Sequence, residues 1–419
     1  MELLTRCWHK AGFTPASGSG SQEASSVRIE QLTHHGMGRA EDGSLWPRTL
    51  PGEEIDAEGR ILTPSPDRVK APCPHFNTCG GCSVQHARDD LIARWKVGIV
   101  VKALAAHGID LTPRKIHVSP PASRRRAKLS GRRTKKGALV GFHGRASDQI
   151  VATPNCAVIA PQIRALIPAL EELTTLAGSR KGELALTVTA SDAGADVQVS
   201  GGKEPEPQDR VDLSGWAQRH DIARLTLEDE VIVTRKPPAQ PFGKARVVPP
   251  PGAFLQATAS GETALVAGVR EALTGASEIA DLFAGSGTFA LPLAETARVH
   301  AVEGSGAMLE ALDAGWRGAQ GLHKVTTETR DLFRNPLDGD DLAPFDGIVL
   351  DPPRAGAQAQ VAQIAEHGPA RLAYVSCNPV SFARDAARLL AAGYRIEWLD
   401  VVDQFRWSHH VELIAAVTR

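Results

Sequence analysis

The stretch Asp281-Leu282-Phe283-Ala284-Gly285-Ser286-Gly287-Thr288 follows an apolar run and opens a helical pattern. Its glycines therefore sit where a strand turns into a helix, and a nucleotide-like ligand can approach the backbone there. Such a turn is shared with dinucleotide oxidoreductases and with ordinary tight turns. Glu303 ends the next strand 16 residues beyond Gly287, where a carboxylate can accept from both hydroxyls of a ribose. Outward from this loop, apolar strands at 278–283, 298–303, 347–351, 372–376 and 411–417 alternate with helical patterns. That alternation predicts an α/β unit over 251–419, a doubly wound, mainly parallel sheet of Rossmann-like type.

In such a sheet the chemistry gathers at the carboxyl ends of the strands. Asp351-Pro352-Pro353-Arg354 follows one of them, and its prolines fix a loop that holds the Asp351 carboxylate ready for a planar polar ring. A rigid surface loop is the plainer alternative. Arg354 reads equally as a substrate contact or as half of an ion pair. Tyr374-Val375-Ser376-Cys377-Asn378-Pro379 sets a thiol at the end of the next strand. A lone cysteine is often a small core residue, but a strand tip facing the crevice is where a nucleophile would stand. Glu412, within His409-His410-Val411-Glu412, begins the last strand and is a candidate general base if that end faces the same crevice.

Cys73, Cys79, Cys82 and Cys156 carry a second pattern, Cys-x5-Cys-Gly-Gly-Cys followed by a distant fourth cysteine. Four soft thiolates suit tetrahedral zinc or a [4Fe-4S] cluster. The Gly80-Gly81 insert makes room for backbone around a bulky centre, and a second close pair, as zinc ribbons have, is missing, so the cluster is favoured.

A chain of 419 residues, 42% hydrophobic and 23% charged, suffices for two or three domains with cores of their own. It has no apolar run of the roughly 20 residues a membrane span needs, and residues 1–10 lack a signal-peptide core, so a cytoplasmic protein is expected. Residues 252–419 hold 13 basic against 21 acidic side chains and residues 1–251 hold 34 against 27, so the net charge of −1 conceals a basic first part. A basic half suits a polyanion. The densest run, Arg124, Arg125, Arg126, Lys128, Arg132, Arg133, Lys135 and Lys136, is a candidate phosphate contact, or else a solvated face. Residues 1–25, ending in Ala16-Ser17-Gly18-Ser19-Gly20-Ser21, read as a flexible tail in which Cys7 is incidental. Residues 26–66 read as a small β module, and 67–250 as an α+β region with a helix near 87–106 and the four-cysteine pattern.

Taken in order, these pieces closely resemble the S-adenosylmethionine-dependent RNA uracil-5 methyltransferases, in particular the iron-sulfur branch that acts on 23S rRNA. The resemblance spans most of the chain: His34-His35-Gly36-Met37-Gly38-Arg39-Ala40 and Leu50-Pro51-Gly52-Glu53 at a TRAM-like start, Cys73 to Cys82, Arg124-Arg125-Arg126-Ala127, Val140-Gly141-Phe142, Cys156, Phe254-Leu255-Gln256, the glycine loop, and the motifs of Asp351, Cys377 and Glu412. It implies Cys377 as nucleophile, Glu412 as base and Asp351 as the group that orients the ring. It also implies cofactor contacts at Gln256, Phe283, Thr288, Glu303, Asp331 and Asp351, and a [4Fe-4S] cluster on Cys73, Cys79, Cys82 and Cys156. The expected substrate is a uridine of RNA, most readily 23S rRNA, flipped from a loop, with no DNA or membrane partner and a monomeric protein. The same chemistry on tRNA, a non-catalytic RNA-binding assembly factor, and an amino-methyltransferase are the alternatives. The sequence departs from the family at two points: the TRAM/OB-like module looks shortened, Pro64-Ser65-Pro66-Asp67-Arg68 standing where further strands are usual, and Thr258 replaces a common Asn.

Overall fold

An eight-stranded sheet organises the C-terminal half of the protein, a computed structural model of which describes residues 26–419. The tail expected over 1–25, with Cys7, lies outside the described residues. Across the sheet the strands run Val325–Thr329, Arg298–Glu303, Glu278–Leu282, Gly347–Leu350, Arg371–Ser376, Glu412–Thr418, Arg395–Asp403 and Lys115–Val118. Neighbours are parallel except Glu412–Thr418, which is antiparallel to both strands beside it. The chain steps outward from Glu278–Leu282 to Val325–Thr329, then returns on the other side at Gly347–Leu350. A crevice opens at that reversal, above the carboxyl ends of the two central strands.

Both faces of the sheet are covered, which is why its strands read as continuous apolar runs rather than alternating ones. All four residues of Gly347–Leu350 are buried. Leu282, Ile348, Leu350, Tyr374 and Phe382 share one core; Ile279, Val299, Leu265, Val269 and Leu291 share the other.

A seven-stranded sheet forms the middle of the chain, in the order Glu230–Thr234, Arg224–Leu227, Gly194–Ser200, Glu183–Ser191, Arg126–Thr134, Gly137–His143 and Ile150–Ala152. Helices Ile167–Ala177 and Pro207–Arg219 cover it, and the fully buried Trp216 donates from Nε1 to the Ala169 carbonyl at 3.0 Å. Three segments within 67–250 pack elsewhere. Helix Asp89–Ala105 lies on helix Pro379–Ala391, strand Lys115–Val118 extends the C-terminal sheet, and the hairpin Gln240–Phe242/Ala245–Val247 packs on helix Gly306–Arg317. Periodicity announces the helix through Ile92, Trp95, Ile99 and Val100, but it carries no information about which sheet receives that face.

Residues 27–63 form a five-stranded antiparallel sheet of short strands around Ile29, Ala40 and Ile55. Its other apolar residues, Leu32 and Leu50, belong to the core that holds Val84 and Trp95. The segment that reads in sequence as lost strands wraps back instead. Glu53, wholly buried, accepts from the backbone N–H of Leu50 at 2.8 Å and of Ser65 at 3.2 Å, and from Arg68 Nε at 2.5 Å.

Gly285 and Gly287 both have positive φ, +56° and +97°, but in different surroundings. A Cβ on Gly287 would stand 2.8 Å from Leu312 Cγ and 3.0 Å from Leu291 Cδ1, whereas nothing lies within 4 Å of one on Gly285. Gly287→Ala is expected to cost about 3 kcal/mol of stability, backbone strain plus overlap, and Gly285→Ala only about 1 kcal/mol. Urea denaturation of the two variants checks the difference.

Candidate active site

The turn after Leu282 is built to leave space. Phe283 takes φ +66°, rare for a bulky residue, and lets the N–H of Gly285 donate to Glu303 Oε2 at 3.1 Å while Glu303 Oε1 accepts from Ser305 N–H at 3.0 Å. The Phe283 ring lies 5.4 Å from that of Phe333, which is exposed; Asp331, two residues earlier, accepts the Phe333 N–H at 3.0 Å. Thr288 follows the loop, half-buried. Asp281 is fully buried and neither carboxylate oxygen has a hydrogen-bond partner of good geometry among the described residues. Its pKa is driven well above the usual range by burial and by Asp351. An open floor at Gly285, two aromatic rings and a row of carboxylates fit an adenosine carrying a cationic side chain.

Cys377, Asp351 and Glu412 meet at the edge of the sheet, and the topology explains how. Strands Gly347–Leu350 and Arg371–Ser376 end there; the last strand begins there because it runs the other way. Ser376 pairs with Leu413, so the register carried on by one residue sets Cys377 opposite Glu412. Asn378 caps the following helix, its Oδ1 accepting from Val380 N–H at 3.1 Å, and its Nδ2 donates to the Arg354 carbonyl at 2.9 Å, tying the cysteine loop to the Asp351 loop. The polar chain between the two acids runs through two buried glutamines. Gln256 Nε2 reaches Asp351 Oδ2 at 3.5 Å, and Gln404 Nε2 donates to Gln256 Oε1 at 2.7 Å and to Glu412 Oε2. Thr258, the unusual residue, gives its N–H to Gln404 Oε1 at 3.2 Å and uses its hydroxyl to cap helix Ala259–Ala272.

Three acids share one buried site, where desolvation disfavours the charge of each and Asp351 adds to the shift of the other two. Burial and then Asp351 push Glu412 up to about 8; burial raises Asp351 to about 7; burial, Glu412 and Asp351 raise the Cys377 thiol to about 11. Shifts of this kind at a cleft mark functional groups.

A lysine that sequence reading did not single out ties down the loop that leads to Glu412. Lys96, fully buried on helix Asp89–Ala105, donates to Asp403 Oδ1 at 2.5 Å and to the carbonyls of Phe405 at 3.1 Å and His410 at 2.9 Å. It thus closes the loop from Asp403 to Glu412 around one ammonium. A single Lys in a helical pattern carries no signal of this, since most point to water.

With this geometry in view, the kinship is specific. A family model described as tRNA (uracil-5-)-methyltransferase matches residues 248–418. A Chromohalobacter salexigens protein, the 23S rRNA (uracil(1939)-C(5))-methyltransferase RlmD, is 32% identical over 94% of this chain and 90% of its own length. The chain belongs to the RNA uracil-5 methyltransferases. A Brucella suis protein described as an uncharacterised RNA methyltransferase is 42% identical over 95% of this chain and 99% of its own. The Pyrococcus abyssi tRNA (uracil-54, C5)-methyltransferase, solved with S-adenosyl-L-homocysteine, shares the fold at TM-score 0.73 and 23% identity, over 95% of this chain and 100% of that one.

Two further expectations concern the parts of this methyltransferase away from the crevice. Among the described residues no three His, Cys, Asp or Glu side chains are spaced to hold a single metal ion. Yet Cys73, Cys79, Cys82 and Cys156 are free thiols close to one another: burial and then the charges of Cys156 and Cys73 raise Cys79, and burial chiefly pushes Cys82 up to about 12. Gly81 N–H points at Cys79 Sγ at 3.4 Å and Val158 N–H at Cys156 Sγ at 3.5 Å. Gly80 lies against the His143 carbonyl, 3.0 Å from where its Cβ would be, so Gly80 serves close backbone packing, whereas a Cβ on Gly81 would meet only Cys79 Sγ at 3.6 Å. The basic run divides. Arg125 donates to the Gln256 carbonyl at 3.1 Å and pairs with Glu262, Arg126 donates to the Gly252 carbonyl at 2.8 Å, and Arg132 pairs with Glu183 at 2.6 Å. Those guanidinium groups brace the protein, leaving Lys128, Lys135 and Lys136 exposed.

Because the folded Glu412 holds its proton up to about 8 while an unfolded one releases it near 4.3, the native state binds the extra proton between those values, and stability falls as pH rises through that window. Glu412→Gln is therefore expected to melt close to wild type at pH 5 and above it at pH 8, as differential scanning calorimetry will show. Lys96→Met leaves Asp403 buried without its cation and is expected to lose about 3–5 kcal/mol, part of which Asp403→Asn in the same chain restores; a denaturant double-mutant cycle measures both.

Proposed function

We propose that the protein methylates C5 of a uridine in 23S rRNA through a covalent adduct between Cys377 and C6 of the base, using S-adenosylmethionine. The observation that carries this reading is the meeting of Cys377, Asp351 and Glu412 at one strand edge beside the Gly285 loop. The relative at 32% identity supports the ribosomal target; the tRNA named in the family description is the competing substrate.

Each residue then has a task. Uracil C5 is a poor nucleophile until the Cys377 thiolate adds to C6, forming an S–C6 bond and moving the electron pair onto C5 and O4. S-adenosylmethionine supplies, when bound, the methyl group that C5 accepts. The loop at Gly285, with Phe283, Phe333 and Glu303, would seat its adenosine, and Gln256, Thr288, Asp331 and Asp351 are assigned to it by motif. Glu412 as carboxylate takes the C5 proton, the S–C6 bond breaks, and the thiolate leaves. Asp351, held near neutrality, donates to or accepts from the polar edge of the ring. A paired base would hide C5 and C6, so the uridine must be flipped out.

The four cysteines suit a [4Fe-4S] cluster. Their nearness to one another and the N–H groups aimed at sulfur support that reading. Methyl transfer from a sulfonium needs no electron, so the cluster is assigned a structural part in the central domain. The cytoplasm is where such a substrate would be met.

Wild type mixed with 23S rRNA transcribed with 5-fluorouridine is expected to yield a protein–RNA adduct stable to denaturation, and Cys377→Ala none. With ordinary RNA, Glu412→Gln should accumulate the adduct, and single-turnover release in wild type should accelerate as pH rises through about 8. Adduct formation by Cys377→Ala, or mass mapping of 5-methyluridine in tRNA alone, overturns the corresponding half of the proposal. Anaerobic reconstitution should load about four irons per chain and Cys79→Ser fewer.

A further inference from the structure

Two histidines of the N-terminal module and two from the loop before the last strand form one group. Ring centroids are 5.3 Å apart for His34 and His35, 5.1 Å for His35 and His409, 5.9 Å for His34 and His409, and 4.2 Å for His409 and His410. Phe405 extends the row, 5.4 Å from His410. His34 and His35 are exposed, and His409 and His410 are half-buried. Adjacent residues of one helix hold the halves together. Trp95 Nε1 donates to the Thr33 carbonyl at 3.0 Å, beside His34, and Lys96 Nζ donates to the His410 carbonyl at 2.9 Å.

Burial and neighbouring rings lower His409 and His410 to about 4 and His34 below its ordinary value, the Arg354 guanidinium contributing to all three. At neutral pH His34, His409 and His410 therefore present uncharged aromatic faces. Lys96 and Arg124 also place positive charge near His410, but Lys96 is buried on its own acceptors and Arg124 donates to the Arg126 carbonyl, whereas Arg354 is exposed and makes no side-chain hydrogen bond or ion pair with any described residue. Its carbonyl accepts from Asn378, the residue after Cys377. Of the two sequence readings of Arg354, the ion pair is absent among the described residues.

Neutral rings on which a base can lie, next to an uncommitted guanidinium, are the ingredients of single-stranded nucleic-acid binding. We propose that His34, His35, His409 and His410 form a stacking platform for a nucleotide flanking the flipped uridine, with Arg354 taking the adjoining phosphate. The inference rests on the RNA reading of the crevice. It makes the N-terminal module part of the substrate site through two named side chains, because half of the platform is missing unless that module is docked.

The test measures binding of unmodified 23S rRNA transcript to the full-length protein across a salt series. Arg354→Gln is expected to weaken binding about tenfold and to reduce the salt slope by about one, as loss of one phosphate contact does. The pair His35→Ala with His409→Ala should weaken binding about tenfold with the slope unchanged, and His35→Phe with His409→Phe should recover most of it, since stacking needs a ring and no charge. S-adenosylhomocysteine affinity by calorimetry should stay at the wild-type value in every variant, which a merely misfolded protein would not give. Unchanged RNA affinity in Arg354→Gln or in the alanine pair, or a phenylalanine pair as weak as the alanine pair, overturns the platform. If the wild type methylates tRNA transcripts instead, the ribosomal assignment has failed, and the same variants are read on tRNA with the same expected and contrary results.

Discussion

One reversed strand makes this site. Had Glu412–Thr418 run parallel to its neighbours, Glu412 would stand at the far edge of the sheet, a strand's length from Cys377. Inserted antiparallel beside Arg371–Ser376, it begins where that strand ends, and the register delivers a carboxyl opposite a thiol. The chain must then come back from Asp403 to Glu412 over the top of the sheet, a span with no regular structure of its own until its last residue. Lys96 supplies what secondary structure does not: three acceptors, the Asp403 carboxylate and two carbonyls, converge on one buried ammonium. A buried ion pair contributes little net stability compared with an apolar packing, but it fixes a geometry that apolar packing would leave degenerate.

That arrangement keeps three acids in a crevice where ionising any of them is costly. The glutamines at 256 and 404 are neutral, so they join Asp351 to Glu412 without adding a cation that would hold both carboxylates ionised. Lys96 braces the loop and its charge works against the upward shift of Glu412, yet burial outweighs it and leaves the carboxyl at about 8.

Strands whose apolar runs are buried on both faces announce themselves, and so did the motifs at their tips, because a sharp strand-to-helix turn needs glycine, proline or asparagine at fixed places. Those features made the Asp281 loop, Asp351, Cys377 and the start of the last strand legible. Helix Asp89–Ala105 was legible as a helix, yet its destination was not: an amphipathic stripe states that something covers it and nothing about what. Lys96 was hidden for the same reason, being one polar residue whose partner lies more than 300 positions away. The histidines were quoted as parts of two separate motifs, and only the docking of the N-terminal module brings them together. Strand Lys115–Val118 was missed because four residues at a sheet edge give too short a pattern to recognise.

The arginines at 124–126 show how the domains act as one body. They lead into the strand of the central sheet that starts at Arg126, yet Arg125 reaches the Gln256 carbonyl and Glu262, and Arg126 reaches the Gly252 carbonyl. Arg224, on another strand of that sheet, adds a donor to the Pro249 carbonyl at 2.8 Å. The segment they grip, 249–256, leads directly into the Gln256–Gln404–Glu412 chain. A charge cluster that would be read as an RNA surface is thus spent largely on fixing the backbone from which the catalytic polar chain hangs. RNA bound to the exposed lysines of the central sheet, Lys128 among them, would load the same strand that these arginines lead into. The central sheet is therefore joined by direct hydrogen bonds to the segment that leads into the crevice.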